Sequence, residues 1–257
     1  MKFKGTGLFL LALAACGAVA THAADNSADA GNGTDPTRVQ NTLEAKWERL
    51  DLRGGFSSDT LRLSYTMPVG ERQDYSVRFR VPLASVDVLG NDSYALGDAS
   101  VMVGHVFGLT RERGYVLQGE MIFDTADRPE LGTGKDVFKG TFIYAKFLPK
   151  GAIFAPAFVH SASVSGESAR ADVNATTLDF YYVPKLKDPR NLVTYDPSLN
   201  VDWENDLQYA GLAITFGRVV GKALGGNAIV LVKPSAFAGD DRPGDWGIEL
   251  GGKIVGF

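Results

Sequence analysis

The chain has 257 residues, a formal net charge of -4, 30 glycines, 11% aromatic residues and one cysteine. That charge supplies no basic footprint for nucleic acid, and a lone cysteine excludes an internal disulfide. The mean hydropathy of -0.04 excludes a bundle of transmembrane helices. It leaves room for a membrane barrel, which hides lipid-facing side chains among polar ones facing the lumen.

The N-terminus reads as an export signal spanning residues 1–23. Lys2 and Lys4 precede an apolar run, Leu8 to Ala20, that is too short to cross a bilayer as a helix. One processing route cuts after Thr21-His22-Ala23. The other treats Leu13-Ala14-Ala15-Cys16 as a bacterial lipobox with Cys16 as the lipidated first residue. Because the run continues past Cys16 to a small-residue site, the first route is favoured. Residues 24 to 36 are rich in Ala, Asp, Asn, Gly and Ser, a flexible leader with little apolar content to order it. The spacing of Leu43, Trp47 and Leu50 then suits one face of an amphipathic helix, although the stretch could equally enter a first strand. Residues 24–55 are therefore set apart as leader and amphipathic segment, and 56–257 as one β-domain.

From residue 59 onward, short runs alternate apolar and polar side chains between Gly, Asp, Asn and Pro turns. Leu61, Leu63, Tyr65 and Met67 oppose Arg62, Ser64 and Thr66. Tyr75, Val77, Phe79 and Val81 oppose Ser76, Arg78 and Arg80. Strand side chains point alternately to two faces, so two arginines lie opposite a continuous apolar stripe. A dry core makes such a face costly, whereas a membrane barrel puts the stripe against lipid and the arginines in the lumen. Strands are expected near 59–68, 74–83, 97–108, 113–124, 137–148, 151–163, 172–183, 189–196, 207–218, 227–236 and 245–257. Bacterial barrels favour even strand numbers. The expectation is therefore an all-β transmembrane antiparallel β-barrel of about 12 strands, with 10 as alternative and the missing strand at 41–53 or 199–205. Loops 125–136 and 196–206 are the longest turn-rich connections.

A set of turn and strand-entry motifs follows in order: Leu96-Gly97-Asp98, Leu131-Gly132-Thr133-Gly134-Lys135 leading to Pro149, Asp196-Pro197 before Asp202-Trp203, the stretch Gly217 to Lys222, and Asp245-Trp246. Over residues 96 to 257 the chain resembles the outer-membrane transporter family associated with meta-pathway degradation of phenol and other aromatic compounds. It departs from that family's pattern in lacking the Trp and Pro that commonly follow the Gly-Thr-Gly-Lys turn. The resemblance implies a barrel and an aromatic cargo. At the C-terminus, Val255 and Phe257 fit the aromatic ending that barrel-assembly machinery is thought to recognise. Continuing that parity places Lys253, Gly251 and Glu249 beside them, while a lysine facing lipid at mid-depth costs about 2–4 kcal/mol. Trp246, Ile248 and Leu250 are thus expected to face outward, with Phe257 at the rim or beyond a bulge.

Catalytic signals are weak. His22, His105 and His160 stand alone, without HExxH or cysteine partners, and no G-x-S-x-G elbow occurs. Gly132 to Lys135 lacks the spacing and the following Ser or Thr of a phosphate loop. Asp202, Glu204 and Asp206 could offer oxygens to calcium, although a solvated loop explains them more simply. No enzyme, metal or cofactor is expected. Candidate selectivity residues are the lumen-facing Arg62, Arg78, Arg80, Gln118, Glu120 and Asp179, with Thr177 beside them. Leu117, Met121, Phe180 and Tyr182 should face lipid. Charges so placed either set pore selectivity or pair and fill a narrow lumen. The functional expectation is a passive outer-membrane channel or uptake protein for small molecules, with aromatic ones as one candidate class. Its partners are outer-membrane lipid, the assembly machinery and the solute, with no nucleic acid. The alternatives are a plugged structural barrel and a soluble or lipidated periplasmic lipocalin-like cup.

Overall fold

The computed structural model describes residues 31–87 and 93–257; the signal segment, Cys16 and His22 lie outside them. The described residues form β1 (Thr42–Leu52), β2 (Phe56–Val69), β3 (Tyr75–Val86), the two-residue β4 (Ala95–Leu96), β5 (Ser100–Phe107), β6 (Arg113–Ile122), β7 (Lys135–Phe147), β8 (Ile153–Gly166), β9 (Asn174–Val183), β10 (Asn191–Asp202), β11 (Leu207–Ala223), β12 (Gly226–Ala238) and β13 (Gly244–Val255). Two single-turn 3-10 helices, Pro129–Leu131 and Pro149–Gly151, interrupt the series. Each long strand pairs antiparallel with the next, and β1 pairs with both β2 and β13. Setting aside β4, which pairs only with β3, the closed barrel has 12 strands. Closure removes every edge that could template further pairing.

The twelfth strand is β1, the segment whose Leu43, Trp47 and Leu50 suggested a helical face. Residues 42–52 belong to the barrel rather than to a leader because Glu44, Lys46 and Glu48 alternate inward while Leu43, Ala45 and Trp47 meet Tyr65, Leu63 and Leu61 outside. Cross-strand pairing satisfies the backbone and overrides the weaker helical spacing. A second correction concerns residues 196–206. β10 runs through Asp196-Pro197 to Asp202, leaving only 203–206 as loop. Pro197 has no N–H to donate, and the β9–β10 ladder skips from Tyr195↔Tyr182 to Ser198↔Asp179 there.

The barrel has two distinct ends. At the terminal end, where β1 begins and β13 stops, the connections are 70–74, 108–112, 148–152, 184–190 and 224–225. At the loop end, connections 87–99 and 123–134 are the longest, as expected of an extracellular face. These loops are tied together. The Asp98 carboxylate accepts from the backbone N–H of Thr125, Ala126 and Thr133, and the Arg170 guanidinium donates to the carbonyls of Pro129, Gly132 and Thr133 at 3.2 Å or less.

The outer wall is apolar. Phe79, Val103, Leu117, Phe138, Phe142, Phe158, Leu199 and Leu250 are all exposed large hydrophobics. Such a surface suits lipid and inverts the polarity of a soluble cup, which keeps its apolar face inside. Aromatic side chains gather near the terminal end of this wall. Tyr75 stacks on His105 at 4.1 Å, Phe107 on Tyr115 at 5.5 Å, and Tyr115 contacts Tyr144 at 5.5 Å. This is the girdle expected at a membrane–water boundary. At the C-terminus, Gly256 turns the chain with φ +74°, which glycine tolerates readily. Phe257 thereby leaves the ladder and meets the outward ring of Tyr65 at 6.3 Å. Ile248 and Leu250 share the face of Trp47 and Val232, as parity predicted.

Candidate functional site: the lumen

The inward parity brings charges from distant strands together. Glu120 on β6 is 2% exposed. Its carboxylate faces Lys139 at 2.7 Å, Arg80 at 3.0 Å and Arg78 at 3.4 Å, and accepts from the Ser100 hydroxyl at 2.7 Å. Register explains the convergence, since Glu120 lies opposite Lys139 on β7 and Met102 on β5, and Met102 in turn lies opposite Arg78 on β3. Three cations around one carboxylate leave a local excess of two positive charges. The Arg78 Nε is also buried without a hydrogen-bond partner.

A second cluster continues the wall. Glu249 on β13 pairs with Lys46 at 3.4 Å and Arg62 at 3.9 Å, Lys46 reaches Glu44 at 3.1 Å, and Arg62 also pairs with Glu48. Across the lumen, β9 to β12 carry a more acidic, hydroxyl-rich sector. Asp196 pairs with Lys233 at 3.5 Å, Asp179 lies within electrostatic reach of both, and Thr177 donates to Asn200 at 2.9 Å.

Below these charges the lumen changes character. Inward Leu192, Ile229 and Val255 form a buried apolar cluster with Val219 at the terminal end. Gly217 faces it, where a Cβ would come within 2.8 Å of Leu192. Residues 31–41 run across this end. Thr34 and Thr37 are buried, the Thr34 carbonyl accepts from the inward Tyr181 hydroxyl at 3.2 Å, and the Gly33 carbonyl accepts from Lys253 at 3.0 Å. Thr37 packs against Gly114, with its Cβ 3.6 Å from where a Cβ of residue 114 would lie. The segment therefore touches β6, β9 and β13 from within.

Of the sequence-predicted residues, Arg78, Arg80 and Glu120 meet in one cluster and Arg62 in the adjoining one. Gln118 faces the lumen beside Gly104, while Asp179 and Thr177 line the opposite wall. Sequence reading missed Lys139, whose position between outward Phe138 and Phe142 is a period-two signal. It also missed Glu44, Lys46 and Glu48 because β1 had a competing helical reading, and Asp196 because Asp-Pro suggested a turn. His105 and His160 lie outside the lumen. His105 stacks in the outer girdle, and the His160 ring contacts the Thr176 hydroxyl at 3.0 Å on the outer face. The Asp202 carboxylate caps its own turn by accepting from the backbone N–H of Glu204 and Asn205. Among the described residues, no group of three or more acidic, His or Cys side chains is placed to hold a metal.

No family model and no curated protein matches the chain. Among solved structures, an outer membrane channel from Pseudomonas putida F1 superposes with a TM-score of 0.67 at 10% identity, covering 88% of this chain and 98% of that one. The fold is that of an outer-membrane channel barrel. The NanC porin gives a TM-score of 0.58 at 10% identity over 84% of this chain and all of its own, and the KdgM porin 0.56 at 9% identity over 83% and 98%. Shared fold, closed antiparallel wall and outward apolar belt place the barrel in the Gram-negative outer membrane.

Proposed function

We propose that the protein is a passive outer-membrane channel for small solutes, with the Glu120-centred cluster as its selectivity element and residues 31–41 as a closure at the periplasmic end. The observation that carries this reading is the three-to-one ratio of cations to carboxylates at Glu120 inside a closed barrel. Excess positive charge lining a narrow, low-dielectric passage favours anions. Small aromatic acids are the proposed cargo class, because their carboxylate suits Arg78 and Arg80. The sequence's resemblance to an aromatic-degradation transporter family supports the same class. Reconstituted in planar bilayers, the wild-type protein should pass anions in preference to cations, and Arg78→Ala or Arg80→Ala should reduce that preference. Unchanged selectivity in both variants removes these arginines from the path.

The burial of Thr34 and Thr37 also favours a second reading, a non-conducting barrel whose lumen stays closed. Conductance separates the two: a protein that never opens at any voltage is structural.

A further inference from the structure

Arg113 opens β6 and Lys146 lies near the end of β7, and they stand directly opposite each other in the register. Both share the outward parity of Tyr115 and Tyr144, and both are exposed. Like charges directly opposite in an antiparallel pair repel, so a protein carboxylate would be expected between them. Among the described residues neither side chain has an ion-pair partner; Arg190 and Arg218 at this end reach Asp188 at 3.0 and 3.8 Å, while Arg72, Arg111 and Lys150 in the connections are also without an ion-pair partner and exposed. Arg113 and Lys146 differ from these in being fixed opposite each other within the strand ladder. The next outward residues into the membrane are Tyr115 and Tyr144, in ring contact at 5.5 Å. The cations therefore lie one outward step beyond the aromatic belt, at headgroup depth.

We infer that Arg113 and Lys146 form a binding site for the phosphodiester headgroup of an anionic phospholipid in the periplasmic leaflet. Lipid phosphate supplies the counterion that the protein omits, accepting hydrogen bonds from the Arg113 guanidinium and the Lys146 ammonium. The acyl chains then run along Tyr115, Tyr144 and Phe142, whose ring lies 6.1 Å from Tyr115. The lipid belongs on this outer surface, so the site is independent of whether the lumen conducts. Juxtamembrane cations attract anionic leaflets in the same way.

The test is native mass spectrometry of the detergent-solubilised full barrel with phosphatidylglycerol or phosphatidylcholine added. Wild-type protein should retain phosphatidylglycerol about tenfold better than phosphatidylcholine, and R113Q/K146Q should lose that preference. K146E supplies an internal counterion, so it should lose the preference too while keeping the heat-dependent gel mobility of a folded barrel. Equal retention of both lipids by wild type, or a preference surviving in either variant, overturns the assignment. Displacement of phosphatidylglycerol by inorganic phosphate alone would also overturn it, because the site would then take any phosphate rather than a lipid.

Discussion

The two halves of the lumen are built on opposite principles. Toward the loop end and mid-barrel, Glu120, Glu249 and Asp196 are held by lysines and arginines, and most of the cations around Glu120 and Glu249 keep about a quarter of their side-chain surface exposed. At the terminal end, Leu192, Ile229 and Val255 close into an apolar cluster, and residues 31–41, with Thr34 and Thr37 buried, cross the same end with Gly33 beside Val255. Hydrated charge keeps a passage polar and leaves it accessible, whereas packed apolar side chains exclude water and ions. Under the proposed function the contrast separates two tasks along one axis, with the middle of the barrel selecting and its terminal end closing.

Gly114→Val should break the contrast most strongly. A Cβ at residue 114 already comes within 3.0 Å of the Thr37 methyl and 2.9 Å of Leu109, so the larger side chain should displace residues 31–41. Overpacking of this size costs about 1–3 kcal/mol, enough to raise open time roughly tenfold in bilayer recordings. Glu120→Gln attacks the other half by leaving three cations clustered without their carboxylate. The expected loss is about 3 kcal/mol, at the low end for a buried pair because those partners are partly hydrated. It should appear as a lower midpoint for heat-dependent gel mobility together with stronger anion selectivity.

Leu192→Ala sharpens the comparison from the closed side. It should cost about 2 kcal/mol through the cavity left against Ile229 and Val255, lowering the same midpoint without altering ion selectivity. The smallest effect belongs to the loop end. The hydrogen bond from Lys135, and then that from Ser163, hold the Asp172 carboxyl below its ordinary 3.8. Because the folded value is depressed, this contact is fully present above the unfolded value and is lost as pH falls through the folded one. Protease nicking of loop 167–173 should therefore be unchanged from neutral pH down to about pH 4 and increase only in stronger acid.

Much of this division was legible in the sequence. The alternation of Tyr75, Val77, Phe79 and Val81 with Arg78 and Arg80 displays both faces of β3 without tertiary information, and Gln118 with Glu120 does so for β6. The partners were harder to see. That Glu120 would meet Lys139 and Arg78 depends on register, which turn lengths and closure of the whole ring determine. Residues 31–41 were less legible still. Their small polar side chains suit a disordered leader, and partners far away in the chain, among them Tyr181, Lys253 and Gly114, provide the inner surface that orders them.

The most direct test of closure by residues 31–41 is a reversible lock. The Thr37 Cβ lies 3.6 Å from the Cβ position of residue 114, within disulfide geometry, and the chain's one cysteine, Cys16, lies in the expected signal segment. Thr37→Cys combined with Gly114→Cys, recorded in planar bilayers, should be silent when oxidised and conduct anions once a reductant is added. Equal conductance in the oxidised and reduced states would contradict closure by this segment, and silence in both states would contradict the channel itself.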